Sequence, residues 1–105
     1  MTKIERTMYI YAFRYALNRY NQAMPDCIAA FKPKMSEFEP WELDQIINDI
    51  KAHWRMVGDM DRDSFNKVLH NIGIQDQQEL LDLCVEELKK RAMTVSNNKE
   101  DKDHD

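Results

Sequence analysis

Apolar residues recur along most of the chain at spacings of three and four, with polar residues filling the intervals, so the pattern is helical from end to end. The first segment runs from about Lys3 to Tyr20 and is closed by the polar pair Asn21 and Gln22. A second, short helix begins near Pro25 and ends around Lys32, because Pro33 disfavours helical geometry in the residue before it. The third starts at Pro40, with Glu42 two residues on and Phe38 placed to staple onto Leu43. At about 100° per residue its Leu43, Ile46, Ile47, Ile50, Trp54 and Val57 share one arc, and Gly58 fits a left-handed position just past its end. Asp61 caps a fourth helix with the stripe Phe65, Val68, Leu69 and Ile72, closed by Gly73. Asp76 and Glu79 form a capping box for a fifth, which carries Leu80, Leu81, Cys84, Val85, Leu88 and Ala92 and ends on Lys89, Lys90 and Arg91. The two glycines and three prolines all fall at these boundaries, and no strand-like alternation or repeat is present. The sequence therefore predicts an all-α protein: a compact bundle of about five helices over residues 1–93, followed by a disordered, charged tail over 94–105.

The first helix departs from the simple one-sided pattern. Ile10, Leu17, Phe13, Tyr20, Tyr9 and Ala16 form one apolar arc, and Met8, Tyr15, Ile4 and Tyr11 form a second arc roughly opposite. Only the sector of Lys3, Thr7, Arg14 and Asn18 is polar. Such a helix is either central, with neighbours on both sides, or packed on one side and docked to a partner on the other. Central packing is the expected arrangement. Arg19 falls inside an apolar arc near Ala12 and Met8, so it is expected to form a structural ion pair with Glu37, Glu39 or Asp49.

Length and charge narrow the classes of function. At 105 residues there is room for one small domain and little for a deep catalytic cleft. The net charge is −4, yet residues 1–24 hold Lys3, Arg6, Arg14 and Arg19 against Glu5 alone, a local +3 that leaves −7 for the rest. The longest apolar run, Met8 to Phe13, is six residues, against the ~20 needed to cross a bilayer. Cys27 and Cys84 lie far apart without ligand spacing and read as reduced core thiols. Asp59, Asp61 and Asp63 resemble the start of a calcium loop, but Ser64 and His70 stand where it needs Gly and Glu. His53, His70 and Cys84 match no metal-ligand spacing, and no phosphate loop, nucleophile elbow or zinc-protease motif occurs. The sequence thus implies no catalytic residues, no metal and no cofactor. Trp41 lies opposite the core stripe of its helix and is a candidate binding residue, while Met24, Met35, Met56, Met60 and Met93 near segment ends suit an adaptable surface, although methionines more often fill a core.

Residues Tyr11 to Arg19, Tyr-Ala-Phe-Arg-Tyr-Ala-Leu-Asn-Arg, resemble the opening segment of a family of small, uncharacterised helical proteins of bacteriophages and prophages. Asn18 stands where that family's pattern has Gly. The resemblance implies a phage-type protein acting in the bacterial host cytoplasm, and small acidic phage proteins of this kind work stoichiometrically. The expected function is binding to a host protein or complex, such as an antiviral defence system, through Tyr11, Arg14, Tyr15, Asn18 and Trp41. The alternative is a nucleic-acid-associated factor whose Lys3, Arg6 and Arg14 contact phosphates. A homodimer in which each chain covers the other's tyrosine face is compatible with either.

Overall fold

A computed structural model describes the backbone of residues 1–19, 21–58 and 74–104, and the side chains of residues 1–19, 21–58 and 75–93. Four α-helices stand among these residues: α1, Lys3–Asn18; α2, Met24–Phe31; α3, Pro40–Gly58; and α4, Ile74–His104. A 3-10 turn, Asn21–Ala23, leads into α2, and a second 3-10 segment, Lys32–Glu37, follows it. No strand occurs among the described residues, and the all-helical class is as expected. The expected fourth helix, from Asp61 to Ile72, lies outside the described residues. So do Asp59, Asp61, Asp63, Ser64 and His70.

Local chemistry explains most of the boundaries. Thr2 caps α1 in a full capping box: its side chain accepts from the Glu5 amide, and the Glu5 carboxylate accepts from the Thr2 amide. Pro25 sits in the first turn of α2, where its missing N–H costs nothing. Pro33 does not stop the chain from coiling but tightens it into the 3-10 segment, which ends when Phe38 turns extended at ψ 142°. Gly58 is the last residue of α3 and keeps an ordinary φ, so the left-handed cap expected there is not used.

Helix α4 differs most from expectation. It begins at Ile74, which puts Asp76 inside its first turn instead of at the cap, and Glu79 accepts from Lys32 Nζ at 2.6 Å instead of closing a capping box. Its backbone is traced as helix through His104. Arg91, expected to serve its own helix end, reaches across instead: its Nη atoms donate to the carbonyls of Met35, Ser36 and Phe38 at 2.6–3.2 Å, satisfying the open end of the 3-10 segment.

The core is one cluster drawn from all four helices, including Ile10, Phe13, Leu17, Ile28, Leu43, Ile50, Leu80 and Cys84. Phe31 is its hub. Its ring meets those of Phe13 and Phe38 edge-on, with centroids 5.2 and 4.9 Å apart, and Tyr9 packs at 6.5 Å. Burial pushes the Cys84 thiol up to about 12, and both cysteines are free. The Trp54 indole donates to the buried Gln77 carbonyl at 2.6 Å, which fixes the start of α4 beside the end of α3. With Arg91 at Phe38, just ahead of α3, this contact makes α3 and α4 antiparallel.

Replacing Phe31 with Ala should lower the unfolding free energy by about 3–5 kcal/mol, against roughly 1–1.5 for Phe31→Leu, as read from urea denaturation. No loss in Phe31→Ala would overturn Phe31 as the hub of the core, and a Phe31→Leu loss equal to that of Phe31→Ala would show that the ring contacts, not apolar bulk, hold α2 in place.

Candidate functional site

Arg6 from the core side of α1, and Arg14 and Asn18 from its polar sector, meet α3 in three polar contacts. Arg6 Nε donates to Glu42 Oε1 at 2.8 Å, Arg14 Nε to Asp49 Oδ2 at 2.7 Å, and Asn18 Oδ1 lies 3.3 Å from His53 Nδ1. The partners advance together along both chains, so α1 and α3 run parallel, and α2 with its flanking 3-10 segments carries the chain back between them.

The first of these contacts is buried. Glu42 has no exposed surface and the Arg6 side chain has only 15%. Glu42 Oε1 also accepts from the Glu39 amide at 2.7 Å, closing the start of α3, and Arg6 Nη1 donates to the Met1 carbonyl. Arg6 is therefore the structural ion pair of this helix. Arg19, expected in that role, is exposed and takes part in none of the ion pairs among the described residues. The physical reason is that the arc it shares with Ala12 and Met8 lies in water, Met8 being 64% exposed, so the guanidinium is not desolvated and needs no buried partner.

The second apolar arc lies in water. Ile4, Met8, Tyr11 and Tyr15 each have between 56% and 74% of their surface exposed, so among the described residues α1 is packed on one side only, in place of the expected central arrangement. Their spacing of four, three and four residues makes a continuous seam of the kind that receives a second helix. Arg14 borders the seam, with its guanidinium carbon 5.4 Å from the Tyr11 ring centroid. Beyond Arg14 opens a shallow cleft of about 210 Å³ between α1 and α3, lined by Arg14, Asn18, Asp49, Ala52, His53 and Met56. Of the expected binding residues, the fold thus brings Tyr11, Arg14, Tyr15 and Asn18 onto neighbouring turns of one surface. Trp41 is also exposed, but stands at the opposite end, beside Glu42 and so level with the first turns of α1. The expected phosphate contacts are not assembled: Arg6 is buried against Glu42, Arg14 is held by Asp49, and of the three only Lys3 stands exposed and outside the ion pairs formed among the described residues.

His53 is the one buried titratable base of the cleft among the described residues. An amide oxygen can only accept, so Nδ1 carries the hydrogen and Nε2 is a bare, buried acceptor with no partner. Burial holds the imidazole below its usual value. Among the described residues no cluster of three metal-ligating side chains forms, and no helix is long and apolar enough to cross a membrane. No family model matches the chain, and no curated protein or solved structure is similar to it.

Two outcomes follow from these contacts. Arg6→Met should cost about 3–5 kcal/mol because it strands a buried carboxylate, and Arg6→Met with Glu42→Gln should recover more than half of that in denaturant melts; an additive double variant would mean that the two side chains do not act as a pair. His53 has its folded-state value depressed, so the unfolded chain binds more protons, and stability is complete above the ordinary value of about 6.5 and falls as pH drops below it. Between pH 7.5 and 5.5 the wild-type urea midpoint should decline while that of His53→Gln stays flatter; parallel curves would remove His53 as the cause.

Proposed function

We propose that this chain is a non-catalytic binding protein of the phage type, which acts stoichiometrically on a host protein or complex in the bacterial cytoplasm, such as a component of an antiviral defence system. The observation that carries this reading is the seam of Ile4, Met8, Tyr11 and Tyr15, large apolar side chains left in water on one face of a helix whose other side is packed. An apolar stripe rimmed by polar groups is the ordinary mark of a surface meant to be covered. The rim here is fixed: Asp49 holds Arg14, Gln45 donates to Asp49 at 3.0 Å, and Asn18 is bonded to the Arg14 carbonyl. Such a set offers aromatic anchors in the centre and preset hydrogen-bonding groups at the edge, the composition of a binding hot spot. Arg14 and Asn18 give direction, Tyr11 and Tyr15 give area, and Trp41 extends the surface toward the first turn of α3.

Immobilised wild-type chain should retain a host polypeptide from bacterial lysate in near-stoichiometric amount. Tyr15→Asp, which touches no core residue and should melt within about 1 kcal/mol of wild type, should lose at least ten-fold of that retention. Nothing above background, or equal retention by Tyr15→Asp, would overturn this reading.

A further inference from the structure

We infer that in the absence of a target the seam on α1 closes on a second copy of this chain, in an antiparallel dimer with Ile4 layered on Tyr15 of the second copy and Met8 on its Tyr11. The inference rests on the reading of this face as a docking surface and adds what covers it when no target is bound.

Spacing selects the occupant. The alternation of four and three from Ile4 through Met8, Tyr11 and Tyr15 to Asn18 is a coiled-coil seam, which a helix of the same period fits. Antiparallel pairing about a two-fold axis passing level with residues 9 and 10 places all four exposed side chains in facing layers, each opposing an aliphatic residue to a tyrosine. Moving the register by one heptad leaves two of them without a counterpart.

Charge selects the orientation. The flank away from α3 carries Glu5 near one end and Arg19 at the other, both exposed. An antiparallel arrangement brings Glu5 toward Arg19 of the second copy on both sides of the axis, whereas a parallel one sets Arg14 beside Arg19 of the second copy, two cations together. On the other flank the antiparallel partner of Arg14 is Thr7, and the Arg14 charge is already met by Asp49 at 2.7 Å. Area is sufficient. Four side chains of this size remove roughly 500–600 Å² per copy, hence about 1,000–1,200 Å² in all, which reaches the range of specific but exchangeable interfaces. An interface of that size leaves the seam available to a tighter ligand, so target binding and self-association compete.

Light scattering and sedimentation of the full chain alone, across concentrations, test this directly. The expected mass is twice the 12.6 kDa of the monomer, falling to 12.6 kDa on dilution. Met8→Lys, with unchanged circular dichroism, should stay at the monomer mass. In a Cys27→Ser background, Ile4→Cys mixed with Tyr15→Cys should crosslink under mild oxidation, while Ile4→Cys alone should not. A wild-type monomer up to about 1 mM, a Met8→Lys dimer, or crosslinking of Ile4→Cys to itself would each overturn the inference. A wild-type monomer that still retains a host target would overturn the dimer and leave the docking surface standing; a dimer with no target would do the reverse.

Discussion

The buried pair of Arg6 and Glu42 decides how the rest of the molecule is arranged. An ion pair taken out of water contributes little net stability compared with well-packed apolar groups, because desolvation offsets most of the attraction. What it does supply is register: a guanidinium on the core side of α1 can be buried only where a carboxylate meets it. Glu42 is such a carboxylate, already fixed by the Glu39 amide at the start of α3. Once these two residues are joined, Arg14 falls opposite Asp49 and Asn18 opposite His53, so the later turns of the polar sector of α1 border α3. The apolar arc of Phe13 must then face α2 and α4, and among the described residues none is left to cover the arc of Tyr11 and Tyr15.

Parallel neighbours in sequence order require the chain to travel back the length of α1 before α3 begins. The stretch from Asn21 to Glu37 does this with a short helix between two 3-10 segments, and Phe31 is placed so that one ring meets Phe13 from α1 and Phe38 from the approach to α3. Arg91 completes the return by donating to three carbonyls of the tightened segment. This stretch is held by its own short helices and is tied to the rest of the molecule by aromatic contacts, by Arg91 and by the ion pairs of Lys32 with Glu79 and of Glu37 with the Met1 amine.

The helical class, the start of α3 and its core stripe were legible because they rest on period and on proline chemistry, which act locally. The exposure of Arg19 was not, since the wheel sets it beside Ala12 and Met8 without saying that this arc faces water. Periodicity did identify both arcs of α1, including all four seam residues, but it could not say which would be covered. That choice is made by Arg6 and Glu42, 36 residues apart, and their pairing has no local signature. The cleft around His53 and Met56 was unreadable for the same reason, because its lining comes from two helices whose alignment is set at their opposite ends.

Running side by side in one direction, α1 and α3 also place their amino-terminal turns together, so the peptide dipoles of two helices add at that end instead of cancelling. Each of those turns holds a glutamate at its third position, Glu5 in one and Glu42 in the other, and each accepts from the backbone amide just ahead of its helix. Part of the acidity of this chain is thereby tied to a concentration of partial positive charge that the topology itself creates. An excess of carboxylates in a small helical protein then reports on how its helices are oriented, and it need carry no message about the charge of whatever the protein meets.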